Sequence, residues 1–260
     1  MVNRSQQTAG CFTRFFALIG GGVAMALFGW VGLKLVTWPD VAKLSSTHPQ
    51  STAFIDRYRS RSEADSRLRS ISWSFTDAIS PFLARAVVSA EDTEFFDHPG
   101  FSTHEIQAAI REAIAEGEAP RGASTITQQL AKNLWLSPSR SPVRKIEEAV
   151  LTRQLEHHLT KERILYLYMS VVEFGVGIYG AESAADHYFA KHARDLSPME
   201  AAELAASLPR PTSWNPASTS RRYRAHVDRV WDRMRSATYL DRYIPGSAIT
   251  PEVIRRQQSR

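Results

Sequence analysis

The chain has 260 residues, room for one medium domain with attachments. A hydrophobic fraction of 43% excludes a chain too polar to fold, and a net charge of +5 favours anionic partners. No zinc-finger, helix-turn-helix or RNP-type pattern occurs, so nucleic acid is not an expected partner, and the scattered arginines read as a solvated cationic surface.

Residues 1–14 carry Arg4 and Arg14 and no acid, and Cys11 is the sole cysteine, so no internal disulfide forms. Phe15 to Leu33 contains no charged residue. As a helix, this run reaches roughly 28 Å, close to the roughly 30 Å hydrocarbon core of a bilayer. The flanking arginines, with Trp30 and Trp38 at the far end, predict a signal anchor over 15–36. The positive-inside rule then puts the amino terminus in the cytoplasm and residues 40–260 outside. Ala24-Met25-Ala26 also resembles a cleavage site, which leaves a signal peptide as the alternative.

Residues 37–72 are polar, with a mixed-charge run from Asp56 to Arg69, and read as a stalk or a short solvated helix. From Trp73 to Leu208 the pattern is helical almost throughout. Ser80-Pro81 is an N-cap followed by an N1 proline. Behind it Leu83, Val87 and Glu91 share one stripe, which points Glu91 toward the apolar side. Desolvation there would raise its pKa and make it a better base near neutral pH. A carboxylate satisfied by an arginine or by backbone N–H groups fits the same spacing. Glu91 opens the string Glu91-Asp92-Thr93-Glu94-Phe95-Phe96-Asp97-His98-Pro99-Gly100. His98 in it is either structural or catalytic, and Gly100 supplies a turn. A helix is expected from Thr103 or His104 to Glu116.

Next comes Gly122-Ala123-Ser124-Thr125-Ile126-Thr127-Gln128-Gln129-Leu130-Ala131-Lys132-Asn133. Thr125 with Gln128 fits a capping box, and a helix amino terminus with hydroxyls and Arg121 nearby suits an anion. Paired glutamines suit sugar hydroxyls or amides. A solvated polar face is the plain alternative, though the stretch from Gly122 to Ala131 carries no charge. Ser141-Pro142 then opens a long helix expected to reach about Ser170. Glu148, Leu151, Leu155 and Leu159 form its core stripe, and Arg144 and Lys145 lie one turn before Glu148. This is either an ordinary helical ion pair or a second buried carboxylate beside Lys132, Arg140, Arg144 and Lys145. The adjacent His157 and His158 point different ways on a helix and are not read as metal ligands. Ser197-Pro198-Met199-Glu200 is a capping box for a helix ending at Leu208-Pro209, and residues 212–260 read as a terminal helix and a loose tail.

These segments, in this order, resemble the peptidoglycan glycosyltransferases (transglycosylases) of bacterial cell-wall synthesis. The family pattern is Glu-Asp-x-x-Phe-x-x-His-x-Gly, Gly-x-Ser-Thr-x-x-Gln-Gln-x-x-Lys-Asn and Arg-Lys-x-x-Glu, and residues 91–100, 122–133 and 144–148 match it. Further similarity runs through Lys161 to Met169, Glu173 to Gly180 and Tyr188 to Lys191, so the resemblance covers about 73–211. It implies a mainly α-helical, lysozyme-like two-lobed domain behind a single transmembrane helix. It implies polymerisation of lipid II onto a growing glycan strand, with inversion at the sugar and loss of undecaprenyl diphosphate. Glu91 is then the base and Glu148 the second carboxylate. Lys132, Arg140, Arg144 and Lys145 neutralise the diphosphate, with Mg²⁺ or Mn²⁺ as an optional helper. Ser124, Thr125, Gln128, Gln129 and Asn133 position substrate, and Asp92, Phe95, His98, Gly100 and Gly122 support the site. Membrane lipids and cell-division or elongation proteins are the other implied partners.

Ser102, Ser170 and Ala190 depart from the family's frequent Asp, Asn and Gly. No Ser-x-x-Lys or Lys-Thr-Gly is present, so the transpeptidase machinery of larger relatives is absent. A glycan-cleaving lytic enzyme and an inactive membrane-tethered scaffold are the rival readings.

Overall fold

The computed structural model describes residues 36–102, 124–139 and 141–258, with isolated positions between 21 and 32. Most of the apolar run, the helix expected at 103–116, and Gly122 and Arg140 lie outside the described residues. Among the described residues no helix is long and apolar enough to cross a membrane. The chain divides into a unit over residues 1–40 and one over residues 41–260.

The second unit is mainly helical. Helix α1 (Ala53–Ala64) is capped by the Thr52 side chain. It buries Ile55 and Tyr58, while Val41 and Leu44 of the turn before it are also buried. This stretch, expected as a stalk or solvated helix, is therefore a helix fixed to the core. Helix α2 (Pro81–Glu91) starts at the Ser80 cap and N1 proline and buries a continuous run from Leu83 to Ser89. Helix α3 (Ile126–Trp135) is closed by the Thr125/Gln128 capping box. Helix α4 (Pro142–His158) starts at Ser141 and buries Glu148, Leu151 and Leu155.

The long helix expected to reach Ser170 is two. Leu159 is extended, and Thr160 caps a new helix, α5 (Lys161–Val171), by accepting from Arg163 N. A side chain that competes for backbone N–H groups restarts the helix in a new direction, and helical periodicity does not reveal it. A small sheet follows, of strands β1 (Ser72–Trp73), β2 (Glu173–Gly175) and β3 (Ile178–Tyr179). β3 is central, parallel to β1 (Ser72 opposite Ile178) and antiparallel to β2. Strands of two or three residues are too short to show alternation.

Helix α6 (Ala181–Phe189) ends at Ala190, whose φ of 53° is left-handed. Helix α7 (Pro198–Ser207) has the Ser197/Glu200 capping box. Helix α8 (Arg221–Ser236) buries Tyr223, Val227, Val230 and Met234 and packs on α2 and α7, while α3 packs between α4 and α5. A last helix, α9, spans Pro251–Gln258.

The segment after α8 is no loose tail up to residue 247. Arg85 of α2 is 1% exposed and donates to the carbonyls of Met234 (2.7 Å) and Ala237 (2.7 Å), to Asp241 (2.5 Å) and to Ser247 (3.2 Å). Tyr243 stacks on Phe96 at 4.4 Å, and the Tyr239 hydroxyl donates to Thr93 O at 2.8 Å. A buried guanidinium needs this many acceptors, and carbonyls at the end of a helix supply them. The helix that ends in Glu91 is thereby held by the carboxy-terminal segment.

Candidate active site

Helix α3 organises the site, because each of its polar residues reaches a different group. Gln129 donates from Nε2 to Glu91 Oε2 (2.9 Å) and to the Ser124 carbonyl (3.1 Å), and its Oε1 accepts from the Tyr168 hydroxyl (2.8 Å). Gln128, about 100° around the helix, accepts at Oε1 from Thr125 N (3.1 Å) and donates from Nε2 to Glu148 Oε1 (3.5 Å). The paired glutamines, expected to face sugar, are thus engaged with the two carboxylates. Asn133 also turns inward and donates to the Gln129 carbonyl at 2.9 Å.

Glu91 closes α2 and is half-buried. Loss of hydration raises its carboxyl above the ordinary range. The Gln129 N–H and the Lys132 charge pull it down, Asp92 pushes it up, and Arg233 of α8 pulls it down. Desolvation prevails, and a raised pKa makes the ionised carboxylate a stronger proton acceptor. Among the described residues no hydrogen bond reaches Glu91 Oε1.

Glu148 is buried on α4 at 2% exposure and takes Arg144 at 2.7 Å and Lys145 in a short contact. Arg144 spans the usual i, i+4 spacing, and its Nε is buried without a hydrogen-bond partner among the described residues. Lys132, half-buried one turn beyond the glutamines, makes no ammonium hydrogen bond or ion pair among the described residues. Burial lowers its pKa, Glu148 and Glu91 raise it, and Arg144 and Lys145 lower it. An ammonium removed from water and left without an acceptor is unfavourable by itself, so this position favours an incoming anion.

The remaining motif residues build the frame. Buried Asp92 accepts from Ile126 N at the α3 amino terminus (2.9 Å) and from His98 Nε2 (3.0 Å). Gly100 N donates to His98 Nδ1 (3.0 Å), which puts the ring proton on Nε2 and makes His98 a neutral brace. The Thr125 hydroxyl donates to Gly100 O (2.8 Å). Gly100 has φ +94°, and a Cβ there would lie 2.9 Å from Thr152 and Glu156 side-chain carbons. Lys161 ties the Glu156 carboxylate (2.8 Å) to the His98 carbonyl (2.6 Å) and lies 4.5 Å over the buried Phe95 ring. Ser102 donates to Glu94 (2.7 Å), and Ser170 to the Tyr166 carbonyl one turn back (2.8 Å).

Two residues escaped sequence reasoning as members of the site. Tyr168 is fully buried, with its hydroxyl pushed well above its ordinary pKa by burial and by the charges of Glu91 and Asp92. Its place one turn before the end of α5 gave no local sign of a partner on α3. Arg233 acts on Glu91 from α8, more than a hundred residues away in sequence. Among the described residues no three His, Cys, Asp or Glu side chains group to hold a metal.

A helical domain that sets a half-buried acid, an unpaired ammonium and a second, cation-bound acid along one helix is the framework of an enzyme that moves a proton beside a bound anion. The Transglycosylase family model matches residues 59–235, a wider span than the motifs at 73–211. A biosynthetic peptidoglycan transglycosylase of Azoarcus sp. (strain BH72) is 46% identical over 224 residues, covering 80% of this chain and 96% of that protein. One of Aromatoleum aromaticum is 42% identical over 85% of this chain and 98% of its own length. One of Alcanivorax borkumensis is 41% identical over 78% of each. The chain belongs to the transglycosylase family.

Proposed function

We propose that this enzyme polymerises lipid II into linear β-1,4 glycan strands of peptidoglycan, releasing undecaprenyl diphosphate, and that Glu91 is its base. The observation that carries the reading is the placement of Glu91, Lys132 and Glu148 along helix α3. Glu91 takes the proton of the acceptor's 4-hydroxyl. That oxygen attacks C1 of the donor sugar, and the bond from C1 to the diphosphate breaks on the opposite side with inversion. Negative charge then grows on the leaving diphosphate. Lys132 and Arg144 stabilise it, joined by Lys145 and Arg140, and such stabilisation is commonly the largest catalytic contribution. Glu148 is the second carboxylate, which holds Arg144 and Lys145 in position and contacts a substrate sugar.

The domain is proposed to be lysozyme-like and two-lobed, and to work outside the inner membrane on the anchor at residues 15–36. That address suits a substrate with a lipid tail. Lipid II and the growing glycan strand are its substrates, membrane lipids its surroundings. Elongation or division proteins are its proposed partners.

The test is incubation of the purified protein with lipid II. Polymer and released polyprenyl diphosphate are expected. Glu91→Gln should lower turnover at least ~10²-fold with an unchanged melting temperature. Near-normal turnover by that variant would remove Glu91 as base, and fragments cut from preformed peptidoglycan instead of polymer would favour a lytic enzyme.

A further inference from the structure

Glu91 presents two oxygens with unlike surroundings. Oε2 accepts from Gln129, whereas no hydrogen bond reaches Oε1 among the described residues. What keeps the Gln129 N–H on Oε2 is a chain of three side chains from three helices. The Tyr168 hydroxyl of α5 donates to Gln129 Oε1 of α3 at 2.8 Å, and Gln129 Nε2 reaches Glu91 of α2 at 2.9 Å. The Ser124 carbonyl, which can only accept, takes the other amide proton at 3.1 Å. Tyr168 is fully buried, and Gln129 is the one partner its hydroxyl has among the described residues. A turned-over amide would set its carbonyl against both Glu91 and Ser124 and leave the tyrosine proton without an acceptor.

We infer that Tyr168 is a positioning residue for the glycosyl transfer. Its hydroxyl anchors and polarises the Gln129 amide, so that Glu91 is held by Oε2 and offers Oε1 to the acceptor hydroxyl. In such a chain each hydrogen bond strengthens the next. The Gln129 N–H is a better donor to the ionised acid because its carbonyl is itself engaged. Tyr168 touches no substrate, so its removal should change how readily Glu91 ionises rather than how tightly lipid II binds.

The inference rests on the proposed role of Glu91 and is tested with Tyr168→Phe, Gln129→Met and the double variant. In Tyr168→Phe, kcat should fall about 3- to 10-fold with KM within about twofold. The acid limb of the kcat/KM profile should move up by about half a pH unit, the size expected for one weakened hydrogen bond. Gln129→Met should move it further, and the double variant should match Gln129→Met alone, because Tyr168 acts only through that amide. An acid limb left in place in Tyr168→Phe, with or without a lower melting temperature, overturns the inference. So does a double variant whose loss equals the product of the single losses. Carboxyl ¹³C NMR of Glu91, assigned with Glu91→Gln, follows the same titration without substrate. If the wild type fails to polymerise lipid II, the reaction falls, while an unshifted NMR titration in Tyr168→Phe condemns the positioning role separately.

Discussion

Replacing Glu148 by Gln keeps the shape of the side chain and removes the one charge that Arg144, Lys145 and Lys132 face together. The acid is 2% exposed, so its charge is poorly screened by water. The Lys145 side chain is 52% exposed, so that pair contributes little despite its short contact. The Arg144 side chain is 16% exposed and its bond to Glu148 is 2.7 Å, a charge-assisted hydrogen bond worth roughly 1.5–3 kcal/mol. Glutamine keeps a neutral version of it, but three cations are then left facing one another. A net loss of about 2–3 kcal/mol follows, or roughly 5–10 °C in melting temperature for a domain of this size. Glu148 is also the strongest influence holding the Lys132 pKa up, so the variant's ammonium should titrate lower still. A lysine whose folded pKa is depressed destabilises the fold while it is charged, and that penalty fades as pH rises through the folded pKa. The deficit should therefore shrink at alkaline pH. Inorganic pyrophosphate should restore more stability to the variant than to the wild type, because it supplies the missing negative charge. Thermal melts across pH, with and without pyrophosphate, are the assay. A variant that melts within about 1 °C of the wild type, or that gains no more from pyrophosphate, would refute an acid that holds this cluster together.

Two other positions give stability predictions away from the chemistry. Burial raises the Glu173 carboxyl on β2 to about 7, against the Gly177 backbone N–H and Arg61, which lower it. The folded protein then holds a proton that the unfolded chain releases near the usual 4.5, so stability falls as pH rises from about 4.5 to about 7. Glu173→Gln should flatten that fall and be more stable than the wild type at pH 8, by up to ~2 kcal/mol after discounting for partial exposure; chemical denaturation at pH 4 and pH 8 checks it, and an equal difference at both would count against it. Ala190 holds φ 53° at the end of α6, a conformation that a Cβ makes unfavourable by about 1–2 kcal/mol. Ala190→Gly relieves it but frees the unfolded chain by ~0.4–1 kcal/mol. A gain of about 0.5 kcal/mol, or one to two degrees in melting temperature, is expected, and a loss would show that Ala190 is not strained.

Local chemistry in this chain is legible because it is written within a few residues. The caps at Ser80, Thr125, Ser141 and Ser197 form where their side chains meet a nearby backbone N–H. The stripe that buries Glu148 with Leu151 and Leu155 follows from helical spacing alone. What one-dimensional spacing cannot give is the identity of partners across helices. Gln129 and Glu91 are separated by 38 positions, Tyr168 and Gln129 by 39, and Arg85 and Asp241 by 156. In each case a polar group buried by its own helix requires a complement, and the sequence states the requirement without naming what meets it. The glutamines show the consequence: amides suited to sugar are equally suited to an acid, and packing of α3 against α1, α4 and α5 sets them beside the acids. The same logic explains residues 234–247. Met234, Leu240 and Ile244 in this stretch are buried apolar anchors, and a single buried arginine on α2 converts the neighbouring carbonyls into a seat for the helix that ends in Glu91. A segment that straddles the end of the matched family span thus holds the helix of the proposed base in place through backbone acceptors at Met234 and Ala237. Those acceptors depend on where the carbonyls sit and not on which side chains accompany them, so a motif search passes over them.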